Sequence, residues 1–156
     1  MLAISQPTYL PWCGYFDLID RSEIFVFLDD VQFNRRSWQQ KNRIVQKEEY
    51  LTLSIPVKKK GLRQQFLNKV EFFDEKFKDI HLKSIKHSYS KTKFFKDYFS
   101  ELEKIYFNKN NSKYLVNLNI SIINWICEVL KIKNKFILSS DINVPGNKSQ
   151  KIINIC

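Results

Sequence analysis

A chain of 156 residues, 44% apolar and 15% aromatic, can bury one sizeable core and is too apolar for disorder, so a single domain over residues 1–156 is expected. Its formal charge of +10 admits a nucleic-acid partner, but the lysines are scattered along a chain also rich in Asn and Ile; that is compositional bias, and nucleic-acid binding is not expected. Three widely spaced cysteines without a C-x-x-C pair exclude a disulfide framework and a zinc knuckle, and no apolar run reaches the ~20 residues of a membrane span, so a reduced cytoplasmic protein is expected.

Leu2-Ala3-Ile4-Ser5-Gln6 is a short apolar run stopped by Pro7, which cannot donate to a central ladder, and it predicts a buried strand. Pro11 suits a first helical turn, and Trp12, Phe16 and Ile19 recur at helical spacing. Residues 24–28 are continuously apolar, as in a strand covered on both faces, and end at Asp29-Asp30. Together these predict a right-handed parallel βαβ unit. Residues 6–11 and 29–32 should then face each other at the carboxyl edge of the sheet, where open α/β sheets bind ligands.

Residues 42–45 and 51–57 predict an antiparallel hairpin around Lys47-Glu48-Glu49, and a further strand is expected at 70–73. Asp74 can cap a helix whose inner face carries Phe77, Ile80, Ser84, Ile85 and Tyr89. A second helix carries Phe95, Phe99, Leu102 and Tyr106, and a third, from about Ser112, carries Leu115, Leu118, Ile122, Trp125 and Val129. A late strand is predicted at 136–138, and a last helix opens near Ser149 with no stop signal before Cys156. The predicted fold is α/β: a parallel βαβ start with an antiparallel hairpin, then a helical segment returning to the sheet, in a chain expected to be C-terminally incomplete.

The densest polar cluster runs from Gln6 to Arg43. Asp29 and Asp30 could hold a metal, act as a base or orient a sugar hydroxyl; equally, they could end the strand and cap the next turn. Neighbouring strand residues point opposite ways, so one of the two should enter a pocket. Arg35, Arg36 and Arg43 offer planar forks for phosphate or carboxylate, or form a solvated basic loop. His81 shares the inner helical face with Phe77, as a proton carrier or as a hydrogen-bonded core residue; His87 lies off that face. Cys13 reads as buried beside Trp12 and Cys127 as core. Gly146-Asn147-Lys148-Ser149 could meet phosphate near Ser139-Ser140, but it lacks the first Gly of a P-loop, and a capping role is as open.

The segments SQPTYLPWCGYFDLI, FVFLDDVQFNRRSWQQKNRI, LTLSIPVKK and SSDINVPGNKSQKIINIC, in this order and spacing, resemble the WbqC-like protein family over essentially the whole chain. The resemblance implies a bacterial, cytoplasmic protein of surface-polysaccharide (O-antigen) biosynthesis that attaches an acyl or aminoacyl group to a nucleotide-linked amino sugar. Positions matching the family's recurring polar residues are Gln6, Tyr9, Tyr15, Asp29, Asp30, Gln32, Arg36, Asn42, Arg43, His81, Ser140, Lys148 and Ser149. Two departures stand out: the family continues past the position of Cys156, and Cys13 replaces a usual aliphatic residue. Cys156 matches a position that is often Cys, either a thioester-forming nucleophile or a core thiol.

The leading expectation is therefore a transferase with Asp29, Asp30, His81 and Cys156 as catalytic candidates. Gln6, Tyr9, Tyr15, Gln32, Arg36, Asn42, Arg43, Ser140, Lys148 and Ser149 are the substrate-binding ones. Its partners would be a small-molecule or nucleotide-sugar substrate and an acyl carrier, with neither metal nor cofactor. The alternatives are a non-catalytic binding module for a glycan precursor or partner enzyme, and nucleotidyl transfer. The last lacks the paired histidines of HIGH-type nucleotidylyltransferases between Gln6 and Tyr15.

Overall fold

The structure, a computed structural model, describes all 156 residues except Arg63, Asn147 and Lys148. Strands β1 (Leu2–Ser5) and β2 (Ile24–Phe27) run parallel, as the sequence predicts, and β5 (Lys135–Leu138) adds to the other side of β2 in the same direction. All three strands therefore end at one edge. In the middle strand Phe25, Val26 and Phe27 are all buried, which requires an unbroken apolar run rather than an alternating one.

Helix α1 (Cys13–Asp20) bridges β1 and β2 and buries Tyr15, Phe16 and Ile19. It begins two residues after Pro11, leaving Trp12 outside its first turn and largely exposed. Cys13 is exposed too, contrary to the expected burial beside Trp12. The indole lies over Gly14, where a Cβ would meet ring carbon at 2.1 Å, so only glycine admits this approach.

Strands β3 (Lys41–Gln46) and β4 (Glu49–Ser54) form a separate antiparallel hairpin, turned by Lys47 and Glu48 at φ of 48° and 68°. Residues 70–73 do not form the expected strand. Phe72 bridges to Val57 and Glu71 to Tyr114, so the chain changes neighbour at successive residues and no ladder can propagate.

Three helices follow: α2 (Lys76–Tyr89), α3 (Phe95–Phe107) and α4 (Leu115–Val129). Asp74 accepts the Lys76 N–H at 2.9 Å at the start of α2. The buried face of α2 carries Phe77, Lys78, His81 and Leu82. Ile80, expected on that face, is exposed: at ~100° per residue it falls about 60° outside the arc they span. Helix α4 is a wall between two cores. Leu115, Leu118 and Ile122 pack with the hairpin, α2 and α3, whereas Ile123 and Cys127 pack with Ala3, Phe16, Phe25 and Phe27 on the sheet. Two short helices end the chain, α5 (Ser139–Ile142), directly after β5, and α6 (Ser149–Ile155). Among the described residues no helix is long and apolar enough to cross a membrane.

Candidate functional site

Parallel register places Phe27 beside Leu138, so the residues that follow, on β2 and β5 alike, meet at the carboxyl edge. Asp29 is 3% exposed. Its Oδ1 accepts the Ser139 hydroxyl and the Ser140 N–H, each at 3.0 Å. Its Oδ2 accepts the Ser140 hydroxyl at 2.7 Å and the Asn68 amide at 3.3 Å. Its carbonyl takes the Asn68 N–H at 2.9 Å. The single Ser139 proton is shared with Asp30, so the Ser140 N–H, the Ser140 hydroxyl and the Asn68 amide are the three donors that Asp29 has to itself, and they tie β2 to α5 and to the 3-10 turn Leu67–Lys69.

Asp30 converges on the same point, contrary to the expectation that neighbours would face opposite ways: the chain leaves the strand at Phe27 and bends at Asp30, so both carboxylates reach the Ser139 hydroxyl. The Asp30 oxygens contact the Ser139 hydroxyl and the Nζ of Lys151, the one buried residue of α6. Partial burial pushes the Asp30 carboxyl up, but the hydrogen bonds from Lys151 and Ser139, together with the Lys151 charge, outweigh it and hold the group below its ordinary range. With 22% of its side chain exposed, Asp30 remains open to solvent and stays ionised. A carboxylate, a hydroxyl and a buried ammonium thus meet at one partly open point, which can orient an amine or hydroxyl and stabilise a developing anion.

The loop leaving β1 is held by amides. Gln6 Oε1 accepts from Gln39 Nε2 at 2.7 Å, and the Gln6 carbonyl accepts the Tyr15 hydroxyl at 3.1 Å. Asn42 donates to the carbonyls of Tyr9 and of Leu10, whose φ is 47°. Asn119 of α4 donates to the carbonyls of Pro7 at 3.1 Å and Gln39 at 2.8 Å. Gln6, Tyr15 and Asn42 therefore fix the loop through its backbone and its neighbours.

Other candidates lie apart. Tyr9 is fully buried, and its hydroxyl is hydrogen bonded to His81 Nδ1 at 2.7 Å and to the Tyr106 hydroxyl. Burial brings His81 down to about 4, against a hydrogen bond to the Ser54 backbone, so the ring is neutral at pH 7. Among the described residues no hydrogen bond joins His81 to either aspartate. Gln32 is exposed and bridges to Phe66. Arg36 is exposed at φ 63°, Arg35 donates to the Lys59 carbonyl at 2.7 Å, and Arg43 lies 6.0 Å from the Trp38 ring. The three arginines share no partner among the described residues. Ser149 is exposed at the start of α6 and Cys156 just past its end, and Lys148 lies outside the described residues.

Asn68 and Lys151 are the members of the cluster that the sequence did not single out, while Ser139 was named only with Ser140 as a donor near a phosphate. Ser139 had a signal, since it follows a strand that ends at the same edge as Asp29. Lys151 had none that set it apart from the other lysines.

The fold is α/β with a parallel sheet, and paired carboxylates, paired hydroxyls and a buried lysine gather at its carboxyl edge, the edge where open α/β sheets bind ligands. The chain belongs to the WbqC-like protein family, which matches residues 6–156. It is also 30% identical over 155 residues to the uncharacterized protein Rv1507c of Mycobacterium tuberculosis, an alignment covering 99% of this chain and 67% of that protein. No solved structure matches the chain significantly.

Proposed function

We propose that the protein transfers an acyl or aminoacyl group to the amine of a nucleotide-linked sugar in bacterial surface-polysaccharide (O-antigen) biosynthesis. The observation that carries this reading is the ionised, partly open Asp30 beside the Ser139 hydroxyl and the Lys151 ammonium; membership of the WbqC-like family supports it. The sugar amine attacks the carbonyl carbon of an activated donor such as a thioester. A C–N bond forms, the C–S bond breaks, and the thiol leaves with the proton that the amine gives up. A carboxyl held low is a weak base, so Asp30 serves chiefly to bind and aim the amine while Lys151 faces the oxyanion. Lys148 and Ser149, near Lys151 in the chain, are assigned to the nucleotide phosphates, and this direct route needs no thioester on Cys156.

The test is mass spectrometry of UDP- and dTDP-amino sugars incubated with the protein and acyl-CoA or acyl-carrier donors. Asp30→Asn and Lys151→Met should each lower kcat/KM by about a hundredfold, the scale of a lost acid–base or oxyanion group. Absence of product across the donor panel, or undiminished turnover in both variants, removes the proposal.

One observation favours a second reading, a non-catalytic binding module: the cluster is internally satisfied, with three donors on Asp29, a shared Ser139 hydroxyl and an ion pair on Asp30. Saturable binding of the nucleotide sugar without turnover would select it.

A further inference from the structure

The chain has a cavity that the carboxylate cluster does not use. It holds about 370 Å³ between α4, the 3-10 turn Lys109–Asn111 and β5, within the size range of small-molecule sites. The strand side is apolar, formed by Phe27 of β2 and Phe136, Ile137 and Leu138 of β5, with the two phenyl rings stacked at 5.3 Å and 20°. The rest of the lining, apart from Ile120 on α4, is uncharged amides and a hydroxyl, with one carboxylate, Asp141.

Part of this polar wall is fixed from behind. Buried Asn111 donates to the Ile105 carbonyl at 2.8 Å and accepts the Ser121 hydroxyl at 3.0 Å, and Asn117 donates to the Asn110 carbonyl at 3.0 Å. The remainder is uncommitted. Among the described residues the side chains of Asn110, Asn124 and Asp141 have no hydrogen-bond partner, and the Asn124 Oδ1 is buried without one. The Asn110 amide, the accessible part of the Asn124 amide and the Asp141 carboxylate are therefore free to bond a ligand in the cavity.

Charge narrows the choice of ligand. Although the chain carries 26 Lys and Arg, none of them is among the described residues lining this cavity, which is therefore unsuited to phosphate or carboxylate. Amides donate and accept at once, as hydroxyls do, and a carboxylate accepts from hydroxyls. An apolar floor suits the C–H face of a ring. The cavity also adjoins the cluster through the chain: Leu138 and Asp141 line it, and Ser139 and Ser140 between them bind Asp29.

We propose that this pocket binds a neutral, multiply hydroxylated pyranose ring, with Asn117, Asn124 and Asp141 holding its hydroxyl or amide substituents. Its role as the acceptor-sugar subsite rests on the transfer reading; the binding itself does not. The experiment follows the side-chain amide resonances of the ¹⁵N-labelled protein during titration with N-acetylglucosamine, with uridine and inorganic phosphate as controls.

The sugar should give saturable shifts at Asn117 and Asn124 that neither control produces. Asn117→Ala and Asn124→Ala should each weaken binding by about fivefold to tenfold, the effect of one lost hydrogen bond. Asn117 is exposed, so its variant keeps the fold, which an unchanged melting temperature checks. No shifts at these amides, equal shifts with uridine or phosphate, or full affinity in both variants would overturn the proposal. The two readings separate cleanly. Sugar binding without acyl transfer removes the transferase and leaves the pocket; transfer with an unchanged KM for the sugar in Asn124→Ala removes the pocket and leaves the transferase.

Discussion

At the scale of single residues, Asp29 and Asp30 meet at the Ser139 hydroxyl and differ in their remaining partners. One aspartate turns inward onto three side chains of α5 and the 67–69 turn and secures the edge; the other stays partly open beside Lys151. His81 illustrates burial acting on a single group. The folded protein keeps its ring neutral down to about pH 4, whereas an unhindered histidine protonates near 6.5. Between these values the unfolded chain binds more protons, so stability is present above pH 6.5 and is lost as pH falls toward 4. Urea denaturation at pH 7, 5.5 and 4.5 should show this decline in the wild type and a flatter one in His81→Gln. Parallel declines would show that His81 does not cause it.

Among the elements, the hairpin holds the clearest strain. A two-residue connection between right-twisted strands needs left-handed backbone at both positions, yet Lys47 and Glu48 occupy them. L-residues other than Gly, Asn and Asp cost ~1–2 kcal/mol there, so Lys47→Asn with Glu48→Gly should raise the unfolding free energy by about 1 kcal/mol. Chemical denaturation measures it, and an unchanged or lower midpoint contradicts the argument. Helix α6 is held differently. Ile152 and Ile153 are exposed and Lys151 is buried against Asp30, so a polar contact rather than an apolar face attaches it.

Over the molecule as a whole, α4 serves two cores at once, and Asn119 joins it to the loops that carry Pro7 and Gln39. Asn119→Leu would leave two buried carbonyls without their donor, at ~1–3 kcal/mol each. Unfolding of this variant should lose about 3 kcal/mol in total while remaining one transition by both tryptophan fluorescence and far-UV circular dichroism. Two separated transitions would mean that the cores unfold independently and that the expected single domain is two.

The parallel strands, the hairpin and the long helices were legible because burial on both faces, alternation and the 3.6-residue period each leave a mark on local apolar pattern. The edge carrying Asp29 was legible too, since strand direction follows from the length of a crossover. The strand expected at 70–73 failed for the opposite reason: pairing partners are chosen by distant segments, and here they change from one residue to the next. Likewise Lys151 and Asn68 meet Asp30 and Asp29, and Tyr9 meets both His81 and Tyr106, across 39 to 121 residues of sequence. Local pattern therefore determined which segments are strands and helices and which edge gathers polar groups. Only the tertiary structure decided which side chains share a hydrogen bond, because such bonds form over a few ångströms in space and leave no period in the chain.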